Sequence, residues 1–261
     1  MVHRLRLAIA ALLVLAASCR NATVPPHAID PSMASCVPST ATLLAGIHLT
    51  RLRSSPLYPK LPPSAIALIE PLRDAQYLLL ASDGRNFLVI ASGAFHQPPA
   101  GATLLARGLA IAGTPDWLAA ATAQHNSGKP GNANLVSDGD AVAAGSPIWA
   151  VALGGRPLPL TGNAANLNRL LRDSDHASLA LQLDSPILLS ATVVGRTADS
   201  ARQVEETLRA SITLAAAAEA RQVGIVSLLR SIRLSRDDRI VNATLSASPE
   251  AVEKLLTTMG L

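Results

Sequence analysis

Rings are scarce in this chain. Six aromatic residues stand among 261, at Tyr58, Tyr77, Phe87, Phe95, Trp117 and Trp149. Base stacking and sugar platforms both depend on exposed rings, so this scarcity speaks against nucleic-acid and carbohydrate ligands. Lysine is scarcer still, with only Lys60, Lys129 and Lys254, and the arginines are scattered. A sequence pI near 9.6 therefore arises without the basic stripe that marks a nucleic-acid surface. Long apolar runs are missing too. The longest, Leu7 to Ala17, has eleven residues. At 1.5 Å per helical residue it spans about 16 Å, roughly half a hydrocarbon core, which excludes a stable membrane-spanning helix there.

What the N-terminus does have is the three-part layout of a secretory signal. Arg4 and Arg6 precede the apolar run, and Ala16-Ala17-Ser18 lead to Cys19. The stretch Leu15-Ala16-Ala17-Ser18-Cys19 resembles the lipobox of bacterial lipoproteins, with Ala16 where that pattern usually has Leu. The resemblance implies cleavage before Cys19 and a lipid on its sulfur. Acyl chains contribute about 0.8 kcal/mol per buried methylene, so such a modification would hold the rest of the chain on a membrane. Arg20 follows the cysteine in place of the Asp that signals inner-membrane retention in some bacteria, and either the inner or the outer membrane remains open.

Removing residues 1–18 takes Arg4 and Arg6 from the 22 basic residues and leaves 20 against 18 acidic ones, a near-neutral chain. With Cys19 lipidated, Cys36 has no internal partner, which excludes a structural disulfide. No base lies near Cys36 in sequence, so it reads as a tolerated cysteine at the start of the fold. Residues 20–38 are polar and proline-broken and read as part of a flexible tether over 19–38. The polar stretch 126–139 reads as a loop dividing the remainder into comparable parts, 39–127 and 140–261.

The two parts share an order of elements. Each opens on a probable strand, residues 43–49 and 148–153. A helical stretch follows in each, around 63–70 and 163–173. Then come strand pairs, 77–81 with 87–91 and 178–183 with 187–194. Ser82-Asp83-Gly84 marks the first hairpin turn, because Asp-Gly tolerates positive φ. Each part closes on a strand end, a Thr or Ser N-cap, Pro and an acid: Thr114-Pro115-Asp116 and Ser248-Pro249-Glu250. The second part alone carries about 35 extra residues, 197–231. There Val204, Leu208 and Ile212 recur every fourth position, and a break near Arg221 predicts two helices. The expected fold is α+β, two tandem related halves with mostly antiparallel sheets covered by helices on one face. TLLAGIHL, SPIWAVALGG and RIVNATLSASPEAVEKLL, together with the lipid signal, resemble uncharacterised exported bacterial proteins with this duplicated layout. That family implies no activity.

Chemistry is thin. No Gly-x-Ser-x-Gly elbow occurs, and the histidines beyond the signal, 27, 48, 96, 125 and 176, lack metal-ligand spacing. Asp138-Gly139-Asp140 has no further oxygen ligands for calcium and reads as a solvated turn. Asp237-Asp238 reads as a hairpin turn, and Asp173, Asp175 and His176 as a helix end with a solvated loop. Gly154-Gly155-Arg156 follows a strand without a phosphate-loop Lys-Ser/Thr. It is the best binding feature on offer, since two glycines admit a close backbone approach beside an arginine. The leading expectation is a non-enzymatic binding or scaffolding module of the cell envelope, lipid-anchored at Cys19, with an envelope protein partner, no nucleic acid, no metal and no cofactor. The alternative is an envelope hydrolase assembled only in the fold, from His48, His96, Asp175 and His176. A third reading, ligand capture between the halves, requires a cavity at their junction.

Overall fold

A computed structural model describes residues 28–99, 101–156, 167–219 and 221–258. Cys19 and the signal lie outside them. The strands are β1 (Leu43–His48), β2 (Ala75–Ser82), β3 (Phe87–Gly93), β4 (Thr103–Ala106), β5 (Leu109–Gly113), β6 (Ile148–Leu153), β7 (Ser174–Gln182), β8 (Ile187–Gly195), β9 (Arg233–Asp237) and β10 (Ile240–Ala247). The helices are α1 (Pro31–Ala34), α2 (Leu49–Arg53), α3 (Pro63–Ile69), α4 (Pro115–Ser127), α5 (Ala133–Ala143), α6 (Leu167–Arg172), α7 (Ala198–Ala218), α8 (Val223–Arg230) and α9 (Pro249–Thr258).

The fold is α+β, and its strands form one ten-stranded antiparallel sheet in the order β4-β5-β3-β2-β1-β6-β7-β8-β10-β9. The two expected sheets are thus joined: β1 and β6 pair edge to edge, with Leu43 opposite Ala152 and Ile47 opposite Ile148. Reading outward from that central pair, the strand order is the same in both directions. The Asp-Gly turn is present with Gly84 at φ 91°, and Asp238 takes φ 47° in the β9–β10 turn. The 197–231 insertion forms α7 and α8, and Thr197 and Ser200 close a capping box at the start of α7.

Helices lie on both faces of the sheet, not on one. The cause is visible in the strands: Leu44, Leu79 and Ile90 are fully buried on one face, while Ala91, Ala110 and Ile187 are buried on the other. The first face is covered by α4, α5 and the N-terminal segment, around Trp117, Leu135 and Trp149. On the second face, α2 and the segments near Tyr58 and Leu72 cover one end, joined by Val252 of α9. The start of α7 covers another part with Ala201 and Val204. So α4 and α9, which begin with matching sequence signals, settle on opposite faces.

Two segments read as loops are structured. Residues 28–38 belong to the core: Ile29, Met33, Cys36 and Val37 are buried. The Ile29 N–H donates to Asp140 Oδ1 at 2.8 Å, and Asp30 caps α1 by accepting from Ser32 N. Within 126–139, α4 runs to Ser127, Gly128 ends it at φ 69°, and α5 starts under the Asn132 side chain, which accepts from Leu135 N. Leu135, Gly139 and Ala143 form the buried stripe of α5. Asp138-Gly139-Asp140 is thus helical. Gly139 is needed because a Cβ there would lie 2.8 Å from the Trp149 ring. Glycine, asparagine and serine content masked this helix, and burial against a strand outweighed their weak propensity.

Candidate functional site

The hydrolase candidates do not converge. His48 ends β1 opposite Tyr77, whereas His176 lies opposite Leu153, at the other end of the sheet. About five residues of strand, some 16 Å, separate those ends. His48 instead caps α2: its Nδ1 accepts from Arg51 N at 3.3 Å, and its ring meets Tyr77 edge-on. Burial and the nearby Arg51 hold its pKa below the usual histidine value. His96 is exposed in the loop after β3. Asp175 and His176 are consecutive residues of β7, not a loop, at an irregularity in its pairing with β8 between Ser174 and His176. Asp175 is exposed and accepts from Arg239 Nη1 at 3.3 Å. Among the described residues no group of three or more His, Cys, Asp or Glu could hold a metal.

Sequence reading missed one polar cluster. The fold brings His125, at the end of α4, against the N-terminal segment. Its Nδ1 lies 2.9 Å from Ser35 Oγ and 3.7 Å from Cys36 Sγ. Ser35 Oγ also donates to Ser32 O at 2.8 Å, which uses its one proton. The Ser35 hydroxyl thus lies within hydrogen-bond distance of both the His125 ring and the Ser32 carbonyl. Burial pushes the Cys36 thiol up to about 11, so it stays protonated at neutral pH. The cluster fastens the N-terminal segment to α4.

Gly154 and Gly155 meet other parts of the chain. A Cβ on Gly154 would fall 1.9 Å from Ser174 O, and Gly155 has φ 74° with the Arg196 guanidinium 2.4 Å from where its Cβ would be. Their N–H groups donate to Asp175 O and Leu171 O. Both glycines thus serve a tight intramolecular turn, and the exposed Arg156 follows them.

The uncovered part of the sheet offers a different feature. Register places Leu80, Ala45, Ala150, Leu179, Ala191 and Ala243 in one row across six strands on the face that carries α7. Leu80 and Leu179 are 36% and 41% exposed, and nearby Phe87 is 48% exposed. Where alanines replace larger side chains the row sinks into a trough of 280 Å³, walled by Leu43 of β1, strands β6, β7, β8 and β10, Leu171 of α6 and Leu208 of α7. No charged residue lines it. It spans the β1–β6 seam. The opposite face of β7, β8 and β10 carries a polar row, with Ser178, Thr192 and Asn242 in register and Thr192 Oγ1 donating to Asn242 Oδ1. Larger grooves of 680 and 840 Å³ run between α7 and α8 and between α8 and α9, and both have charged walls.

No protein-family model and no curated protein matches the chain. Among solved structures, crystal form I of the Treponema protein TP0453 is similar with a TM-score of 0.52 at 10% identity, covering 88% of this chain and 98% of that one. Crystal form III gives 0.51 at 10% identity with the same coverage. The likeness is one of fold. No helix among the described residues is long and apolar enough to cross a membrane.

Proposed function

We propose that this chain is an exported, lipid-anchored envelope protein that binds a slender apolar ligand without catalysing a reaction on it. The observation that carries the reading is the charge-free trough at the β1–β6 seam. Ligand sites are concave and mostly apolar, and this one is closed beneath by the sheet. Its 280 Å³ is the share of about nine liquid waters at ~30 Å³ each, and a methylene is of similar size. A chain of about nine carbons at ~0.8 kcal/mol each gives roughly 7 kcal/mol of transfer free energy, before the cost of immobilising it. Anchoring at Cys19 would keep the trough near a membrane. Leu43 of β1 brings the first part, 39–127, to the edge of the trough, whose other lining residues all come from 140–261.

Displacement of an environment-sensitive fluorescent probe by 1-decanol, with the full-length chain, tests the reading. Saturable binding is expected, and Ala191→Leu, which puts a larger side chain into the trough, should weaken it at least fivefold while the circular dichroism spectrum is retained. Absence of saturable binding by the wild-type protein refutes it.

A further inference from the structure

Four arginines gather at one end of the trough. Strands β6, β7, β8 and β10 are antiparallel neighbours, and the chain enters or leaves each at that end: Arg156 after β6, Arg172 before β7, Arg196 after β8 and Arg239 before β10. They are far apart in sequence and converge only through register. Gly155 lies against Arg196 and beside the backbone of Arg172. With no side chain and φ 74°, it leaves room for the Arg196 guanidinium above its backbone, while its N–H donates to Leu171 O, beside Arg172. Arg239 Nη1 donates to Arg196 O and to Asp175 Oδ2, each at 3.3 Å.

The cluster lies next to the apolar wall. Arg172 follows Leu171, Gly154 comes two residues after Ala152, and Arg239 two residues before Val241; Leu171, Ala152 and Val241 all line the trough. Two strand residues span about 7 Å. Acidic residues also lie at this end: Asp173, Asp175, which is engaged by Arg239, Asp199, which pairs with Arg202, and Asp237 and Asp238 at the β9–β10 turn. Arg156, Arg172 and Arg196 are exposed, and their guanidinium groups have no acceptor among the described residues. Planar guanidinium forks match carboxylate and phosphate oxygens in paired hydrogen bonds, and a site beside low-dielectric carbon strengthens that attraction.

We propose that the trough binds a single-chain anionic amphiphile, its hydrocarbon on the alanine row and its carboxylate or phosphate head among Arg156, Arg172, Arg196 and Arg239. This rests on the apolar-ligand reading above and adds the head group to it. The ligand then has a fixed polarity, head toward the arginine end and tail toward the middle of the sheet.

Titration calorimetry of the full-length chain tests this with decanoate, decyl phosphate and 1-decanol, each below its micelle concentration. Decanoate, decyl phosphate or both should bind at least tenfold more tightly than decanol, and the stronger of the two identifies the head. The double variant Arg196→Gln/Arg239→Gln should erase that advantage and leave decanol unchanged. Raised salt should weaken the anions alone. Equal binding of decanol and both anions by the wild type overturns the arginine assignment and leaves the apolar trough standing. So does a double variant that weakens decanol as much as the anions. Failure of all three ligands to bind overturns both readings.

Discussion

Replacing Gly46 by alanine probes the packing at the seam most directly. Gly46 lies in β1 opposite Trp149 of β6, between that indole and Tyr77. The Trp149 Nε1–H donates to Tyr77 Oη at 2.7 Å, and Trp149 is 1% exposed. A Cβ on residue 46 would lie 2.4 Å from Trp149 Nε1, 2.5 Å from its Cε2 and 2.5 Å from Tyr77 Oη. Both neighbours are rigid rings, so one must move. Overpacking of this kind costs about 1–3 kcal/mol. Leaving the indole N–H buried without its acceptor costs about 1–3 more. Removing a glycine from a strand returns only about 0.5–1 kcal/mol. The net expectation is a loss of about 2–4 kcal/mol. For a chain of this length that lowers Tm by roughly 5–15 °C. Urea unfolding followed by far-ultraviolet circular dichroism reads the change. The control is Gly224→Ala in α8, where an added Cβ meets nothing within 4 Å; helix propensity there should leave stability unchanged or raise it by up to about 1 kcal/mol. A Gly46→Ala protein with a midpoint at or above wild type would refute the packing argument.

Alkaline stability is the next expectation. Burial pushes Tyr77 up to about 12 and Cys36 up to about 11, both above their unfolded values, so the folded state holds these protons longer than the unfolded one. Their contribution is complete at neutral pH and is lost as pH rises from about 9 to 12, by roughly 2–3 kcal/mol for each group. Tyr77→Phe should flatten the upper part of that decline and Cys36→Ala the lower part; equal slopes in all three proteins would contradict the assignment. At the N-terminus, labelled fatty acid should enter the wild-type protein in bacterial cells and be absent from Cys19→Ala; unchanged labelling in the variant would exclude that cysteine as the anchor.

Strands were the most legible part of the chain. Ile148 to Leu153 has the same bounds in sequence reading and in structure, because a run of β-branched and apolar residues needs only its own length to declare itself. The α7–α8 pair was legible through four-residue spacing. The α5 helix was not: its buried positions are Leu135, Gly139 and Ala143, and a glycine that makes room for Trp149 looks in sequence like a turn. Residues 28–38 looked like a tether for a related reason. Their prolines and serines are local signals, whereas the burial of Ile29, Met33 and Val37 depends on helices about a hundred residues away.

The candidate site divides the same way. By itself the sequence determined the α+β class and the order of most strands, since these follow from periodicity and composition along the chain. It also singled out Gly154-Gly155-Arg156, though for a close approach that the structure assigns to the chain's own Ser174 and Arg196. Only the tertiary structure decided that β1 and β6 join the two runs of strands into one sheet, that His125 meets Ser35, and that alanines from β1, β6, β8 and β10 share one row. The physical reason is register. Strand side chains alternate with a period of two, so a one-residue slip sends every alanine of the row to the other face, and no single strand's sequence specifies which residue of another strand lies opposite.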